Sequence, residues 1–132
     1  MKKVSKYIVD TNVIARYLLR DNEELFQNAK IFFDKVKLGI IKAYIEQTVF
    51  TETIYVLSSI YKVPREEIAK VLSDMLMYKG VLNEDLELLS GALEIYRDSN
   101  LHIVDCLICY KTKKNNLQIM SYDEELKQFY NE

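Results

Sequence analysis

The sequence predicts an α/β fold in which a short parallel sheet of four to five strands lies between two layers of helices. Short apolar runs rich in β-branched and aromatic residues alternate with segments whose apolar residues recur at helical spacing. No stretch of the chain resembles a linker, a repeat or a low-complexity tract. Because strands that alternate with helices form parallel sheets covered on both faces, we expect a single three-layer α/β/α domain over residues 1–132.

Four apolar runs are short enough to be buried strands, and each is followed by polar or turn-forming residues. The predicted strands cover residues 6–9, 40–45, 81–82 and 117–120. The carboxyl ends of parallel strands meet at one edge of a sheet, and ligands collect there. Asp10 and Asp123 each follow a predicted strand directly. We therefore expect these two carboxylates at the same edge.

Helix boundaries are indicated by residues that favour helix ends. Asn22 and Thr48 are suited to N-cap positions, Pro64 to a first turn, and Gly39 and Gly80 to the residue after a helix. The predicted helices cover about residues 11–20, 23–38, 48–61, 64–79, 85–98 and 103–113, with a short final helix from residue 123.

Composition and charge restrict the class of protein. The 132 residues are 49% hydrophobic and 29% charged, as expected for a globular domain with its own core. The net charge of −2 lacks the basic excess common in nucleic-acid-binding proteins, which neither demonstrates nor excludes an RNA substrate. The first apolar segment is broken by Asp10 and carries Arg16 and Arg20, so it is not typical of a signal peptide or membrane span. We expect a cytoplasmic protein.

The two cysteines, Cys106 and Cys109, are spaced as C-x-x-C. With His102, the only histidine, they would supply three zinc ligands, whereas a structural zinc site needs four. A redox C-x-x-C pair normally begins a helix after a strand, but this one lies within a helical apolar pattern. We interpret both cysteines as residues of a helix core.

Four acidic residues occupy positions where apolar residues would be expected: Asp10, Glu52, Asp105 and Asp123. A buried carboxylate is costly unless it is paired, hydrogen-bonded or bound to a metal. A cation site shared by all four would explain them together.

Each acid also has a purely structural interpretation. Asp10, Asp105 and Asp123 could cap helices. Glu52 is aligned with two valines on a helix and should face the sheet or the edge of the core, but its stem could pack there while its head reaches water. Asp105 is surrounded by apolar residues along its helix, which makes it the sharpest candidate ligand.

Several catalytic chemistries are excluded by the residues present. One histidine excludes two-histidine ribonuclease chemistry, and the sequence shows neither a nucleophile elbow nor a Gly-rich phosphate loop. Asp10-Thr11-Asn12 lacks the second acid of an Asp-x-Asp phosphatase motif. An all-carboxylate site is left, which suits Mg²⁺ or Mn²⁺ and the hydrolysis of phosphodiester bonds.

The order of these motifs resembles the PIN-domain ribonucleases, especially the VapC-type toxins of toxin–antitoxin pairs. The matching segments are residues 8–13 (IVDTNV), residues 50–57 (FTETIYVL), Asp105 with its helix, and residues 119–123 (IMSYD), so the resemblance spans nearly the whole chain. It implies a doubly wound parallel sheet and a Mg²⁺- or Mn²⁺-dependent endoribonuclease. Cys106 departs mildly from the family, where small residues such as alanine are common.

The resemblance also implies roles for individual residues. The acidic positions of the family are matched by Asp10, Glu52, Asp105 and Asp123, and polar positions that support the site are matched by Asn12 and Ser121. Metal would be held directly by Asp10, Asp105 and Asp123. Glu52 would contribute a ligand directly or through water. Family members form homodimers, and the toxins are inhibited by a small antitoxin whose tail enters the site. Two alternatives are a non-catalytic binding module of the same fold and a nuclease that acts on DNA or in RNA processing.

Overall fold

The computed structural model describes residues 3–131, so Met1, Lys2 and Glu132 at the ends of the predicted domain lie outside it. The chain divides into two compact units, with the boundary between Glu84 and Asp85. The first unit contains β1 (Lys6–Ile8), α1 (Thr11–Leu19), α2 (Glu23–Leu38), β2 (Lys42–Tyr44), α3 (Gln47–Tyr55), a π-helical turn (Val56–Ile60) and α4 (Arg65–Leu76). The second contains α5 (Leu86–Asp98), α6 (Ile103–Lys114) and α7 (Glu124–Tyr130).

The sheet of the first unit is small and parallel. β1 pairs with β2 in the register Lys6 with Lys42 and Ile8 with Tyr44. Val81 adds an isolated parallel bridge to Ala43, next to which the Leu82 N–H donates to the Ala43 carbonyl at 2.8 Å. The strands predicted at 6–9 and 40–45 are therefore confirmed in shorter form, and the minimal strand at 81–82 is reduced to a bridge. The expectation that the first strand is buried is wrong, because all three residues of β1 are exposed.

The predicted sheet of four to five strands is wrong, because residues 3–131 contain two strands and one bridge. Residues 117–120 form no strand. Leu117 and Met120 are 53% and 83% exposed, and the Leu117 carbonyl accepts a hydrogen bond from the Tyr130 hydroxyl at 2.6 Å. The apolar run here resembles a strand in composition, but the Leu117 N–H donates to the Thr112 carbonyl at the end of α6, and the Leu117 carbonyl accepts from a side chain, so neither group pairs with a strand.

The helices of the first unit surround a core of large apolar side chains. α1 packs against α2 and α3. The ring centroids of Tyr17 on α1 and Phe33 on α2 are 4.5 Å apart. The α2 helix is confirmed as predicted: the Asn22 side chain accepts from the Leu25 N–H at 3.0 Å, and Gly39 ends the helix in the left-handed conformation with φ of 78°. The fully buried side chains of this unit include Ile14, Phe33, Val36, Phe50, Ile54, Leu57, Ile68 and Met75.

The third helix begins and ends differently from the prediction. Its N-cap is Glu46 instead of Thr48, and the Glu46 carboxylate accepts from the Thr48 N–H at 2.8 Å and from the Thr48 hydroxyl. The continuous helix predicted to residue 61 changes to a π-helical turn after Tyr55, in which the Tyr61 N–H donates to the Val56 carbonyl. Such turns widen a helix by one residue and are frequent near functional sites.

Gly80 allows a close backbone approach at the end of the segment after α4. Its N–H donates to the Val36 carbonyl at 2.8 Å, and its carbonyl accepts from the Ala43 N–H at 2.8 Å. A Cβ atom at this position would collide with the backbone oxygens of Ile41 and Val36. The glycine is therefore required by packing against β2 and the end of α2.

The second unit is a helical assembly in which α5 packs along α6 and α6 contacts α7. Leu89 and Leu93 of α5 are completely buried, as are Cys106 and Cys109 of α6, whose thiols are free. The interpretation of both cysteines as residues of a helix core is confirmed. In the described part of the chain, no helix has the length and apolar character needed to cross a membrane.

Candidate active site

Asp10 follows β1 by two residues and is the N-cap residue of α1. Its backbone is extended, with φ of −84° and ψ of 149°, and its carbonyl accepts from the Val13 N–H at 3.1 Å. The side chain makes no capping hydrogen bond, and the residue is exposed. Asp10 therefore begins the helix through its backbone alone, and its carboxylate is not used to cap the helix.

Glu52 lies on α3 and is exposed, so the prediction that it faces the sheet or the core edge is wrong. The polar residue in the buried stripe of this helix is Thr53, whose hydroxyl donates to the Val49 carbonyl at 2.8 Å and is thereby satisfied. Because α1 packs against α3, the two acids of the first unit belong to a pair of contacting helices.

Asp105 lies in the first turn of α6 and is half-buried. The N-terminal turn of a helix favours negative charge, because its backbone N–H groups are unpaired. Burial raises the pKa of the Cys109 thiol, and this shift is opposed by the Lys113 charge and increased by the Asp105 charge. The thiol therefore stays protonated at neutral pH.

Asp123 is the N-cap of α7, and here the capping interpretation is confirmed. Its Oδ1 atom accepts from the Leu126 N–H at 3.1 Å. The Asp123 N–H in turn donates to the Ser121 hydroxyl oxygen at 3.0 Å. Ser121 therefore fixes the backbone that carries Asp123, and the cap engages one of the two carboxylate oxygens.

The four acids are less buried than the sequence suggested: Asp10, Glu52 and Asp123 are exposed, and Asp105 is half-buried. Burial cost is therefore not what distinguishes them. Each unit carries two of them, on or beside helices that contact each other. Within either unit, no three His, Cys, Asp or Glu side chains among the described residues could hold a metal ion together. The four predicted ligands offer only oxygen atoms, which hard divalent cations prefer.

Asn12 belongs to a hydrogen-bonded network that is not among the features predicted from the sequence. The Arg16 Nε–H donates to Asn12 Oδ1 at 3.2 Å, and Arg16 Nη1 lies 2.5 Å from Asp21 Oδ2. The Tyr61 hydroxyl donates to the same Asp21 oxygen at 3.3 Å. The hydrogen bond from Arg16 holds the pKa of the Asp21 carboxyl below its usual range. The i, i+4 spacing of Asn12 and Arg16 on a helix could have revealed the first link.

A groove of about 390 Å³ lies beside Asp10, between β1, α1 and α2. Asp10, Asn12 and Arg16 supply polar groups to its wall. The apolar part includes the side chains of Tyr7, Ile8, Val13, Leu25 and Phe32. The groove joins the Asp10 carboxylate to the Arg16 network within one unit.

Two further residues hold the carboxyl end of β2. Glu46, two residues beyond that strand, accepts a hydrogen bond from the Thr48 N–H. A further hydrogen bond from the Thr48 hydroxyl lowers the pKa of the Glu46 carboxyl. The buried Asn83 side chain accepts from the Ile45 N–H at 2.9 Å and donates to the Ile45 carbonyl at 2.6 Å. Asn83 thus pairs with the backbone as a third strand would, and it fixes the direction in which the chain enters α3.

The small parallel sheet covered by helices is an α/β fold, and comparisons with known proteins identify its family. The model of the PIN domain family matches residues 7–132, and the chain belongs to that family. It is similar to a curated VapC ribonuclease of Aquifex aeolicus (strain VF5), with 25% identity over 122 residues that cover 91% of this chain and 89% of the relative. No solved structure shows a significant match to the chain.

Proposed function

We propose that this protein is a divalent-metal-dependent endoribonuclease and the toxin of a toxin–antitoxin pair. The observation that carries the proposal is the match of residues 7–132 to the PIN domain, a segment that contains all four predicted ligands. The similar protein from Aquifex is called a VapC ribonuclease, which supports RNA as the substrate. The exposed Asp10 carboxylate, which is not used to cap α1, supports a role for it in binding.

In this proposal, Asp10, Asp105 and Asp123 hold Mg²⁺ or Mn²⁺ directly, and Glu52 contributes directly or through water. Bound divalent cations stabilise the developing charge on phosphodiester oxygens and lower the pKa of water. The protein supplies the rest: Ser121 fixes the backbone at Asp123, and the first turn of α6 favours the charge of Asp105. Asn12 supplies a neutral polar group beside Asp10.

The proposed partners are an RNA substrate, a small antitoxin protein and a second copy of this chain, in the cytoplasm. The homodimer is supported by exposed apolar side chains on or directly after the helices between Asn22 and Lys79, including Ile31, Leu38 and Met77. Sedimentation of the purified protein tests the dimer: a mass twice that of the chain is expected, and a monomer over the full concentration range would exclude it.

The central experiment is incubation of the purified protein with total RNA, with and without Mn²⁺ and a chelator, followed by mapping of the cut ends. We expect cleavage that requires the ion, and a melting temperature that rises when Mg²⁺ or Mn²⁺ is added because ligands that bind the folded state stabilise it. Asp105→Asn should abolish the thermal shift and lower cleavage more than about 100-fold, since even residues that only orient metal ligands cost about 10- to 100-fold.

The matched control is Glu66→Gln, which neutralises an exposed acid in the first turn of α4. It should leave cleavage and the thermal shift unchanged. If Asp105→Asn cuts RNA at the wild-type rate, the site is misassigned. RNA binding without cleavage under any metal condition would instead support the non-catalytic binding module, and cleavage restricted to DNA would contradict RNA as the substrate.

A further inference from the structure

The corner between α1 and α2 is held by two arginines that engage different groups. Arg16 and Arg20 both lie at the end of α1, and each contacts a carboxylate at the start of the following segment, Asp21 and Glu23 respectively. Only Arg16 also donates to a residue beside Asp10, through its Nε–H to Asn12 Oδ1. The two arginines therefore share a setting but differ in their connection to the candidate site.

We infer that Arg16 is a positioning residue that fixes the Asn12 side-chain amide so that its NH₂ group donates to a phosphate oxygen of the RNA substrate. The inference rests on the proposed ribonuclease function and adds to it a residue for which no role has been assigned. Asn12 and Arg16 both line the groove beside Asp10, so the network ends at the candidate site.

The donors and acceptors of Asn12 and Arg16 determine the orientation of the Asn12 amide. An asparagine side chain has an acceptor oxygen and a donor nitrogen, and arginine has donors only. A flipped amide would place the Asn12 NH₂ group against the Arg16 Nε–H, where two donors would face each other. Arg16 therefore selects one orientation, and the Asn12 nitrogen is the end that stays available for an acceptor such as a phosphate oxygen.

Arg16 is itself held in place from the opposite side. Its Nη1 donates to Asp21, and Asp21 also accepts from the Tyr61 hydroxyl, directly after the π-helical turn. Arg16 has 24% of its side-chain surface exposed and Asp21 has 33%, compared with 58% and 61% for the Arg20 and Glu23 pair. A planar guanidinium can bridge two acceptors in a fixed geometry, which a lysine ammonium on a flexible stem cannot.

The test compares Arg16→Gln and Arg16→Lys with the matched control Arg20→Gln. We expect both Arg16 variants to lower kcat about 10-fold or more with KM changed less than about 2-fold, since small misplacements of positioned groups cost rate. Arg16→Lys can keep its ion pair with Asp21, so its melting temperature should stay near that of the wild type. Arg20→Gln should keep the wild-type kcat.

A double-mutant cycle with Asn12→Ala separates positioning from a general structural role. If Arg16 acts through Asn12, the Asn12→Ala and Arg16→Gln double variant should be no slower than Asn12→Ala alone. Rate losses that multiply would overturn the inference, as would an Arg16→Lys variant with full stability and full kcat.

A second readout does not depend on cleavage. In NMR spectra of the metal-free protein, Arg16→Gln should shift or broaden the side-chain NH₂ resonances of Asn12, and Arg20→Gln should leave them unchanged. Unchanged Asn12 resonances in Arg16→Gln would overturn the inference even if the wild type cuts RNA. If the wild type cuts no RNA, the proposed function and the donation to phosphate both fail, and the spectra then report only whether Arg16 orders Asn12.

Discussion

The two units differ in how they hold the aspartate that begins a helix of the candidate site. In both, an aspartate follows an apolar run and precedes a helix. Asp123 caps α7 through its side chain, whereas Asp10 begins α1 through its backbone and leaves its carboxylate out of the cap. Similar sequence signals therefore give one carboxylate that caps a helix and one that does not. Substitutions at the two positions should accordingly differ in their effects on stability and on binding.

The largest effect on stability is expected from the glycines, which are also held differently in the two units. At Gly80 an added Cβ meets backbone oxygens that cannot move independently of β2 and α2, so Gly80→Ala should destabilise the protein by about 3 kcal/mol. At Gly91 the three nearest atoms to an added Cβ all belong to the ring of Tyr110, whose hydroxyl donates to the exposed Glu87.

Because a side chain can rotate away, Gly91→Ala should cost less, about 1 kcal/mol, after the gain in helix propensity. Urea denaturation of both variants measures the difference. Equal losses would show that the backbone contact at Gly80 is no more restrictive than the ring contact at Gly91.

A smaller effect is expected from the two capping positions in the absence of metal. Asp123→Ala removes the hydrogen bond to the Leu126 N–H and should lower the free energy of unfolding by about 1 kcal/mol. Asp10→Ala removes no capping bond and should stay within about 0.5 kcal/mol of the wild type.

Thermal unfolding in chelator measures both variants, and Asp123→Asn serves as a control because asparagine also caps helices well. A loss of stability in Asp10→Ala as large as that in Asp123→Ala would contradict the prediction that only the Asp123 side chain stabilises its helix.

The smallest effect concerns pH. Hydrogen bonds from Arg16 and Lys114 lower the pKa of Asp21 in the first unit and of Glu87 in the second. A carboxylate with a depressed pKa in the folded state stabilises the protein above its unfolded pKa, about 4 for both residues, and this stabilisation is lost as the pH falls through the folded value.

The melting-temperature gap between the wild type and Asp21→Asn should therefore be present at neutral pH and close on acidification. Glu87→Gln should behave in the same way. A gap that widens below about pH 4 would contradict the sign of both shifts.

Local signals made most helices predictable. The second helix was predicted from Glu23 to Leu38 because Asn22 and Gly39 act within one turn of its ends. A strand is predicted at 117–120 but does not form. Its absence could not be predicted locally, because strand pairing depends on residues distant in the sequence. Glu46 as a cap was missed because glutamate is not a favoured residue at that position.

For the candidate site, the sequence predicts four acids as ligands, but it does not predict the surroundings of their side chains. The sequence predicts that Glu52 faces the core, but Glu52 is exposed and the next residue, Thr53, is buried instead. The Thr53 hydroxyl is bonded to the backbone. The Asn12 and Arg16 contact is local and could have been predicted, whereas the link from Asp21 to Tyr61 spans 40 residues and could not.

The buried thiols have a practical consequence for such experiments. Cys106 and Cys109 are both 0% exposed, and burial keeps Cys109 in its unreactive protonated form. The native chain should accordingly resist maleimide reagents, so a cysteine introduced at an exposed residue such as Tyr122 would accept a fluorophore or spin label selectively. A probe attached there would report on its surroundings in the second unit without prior removal of the natural cysteines.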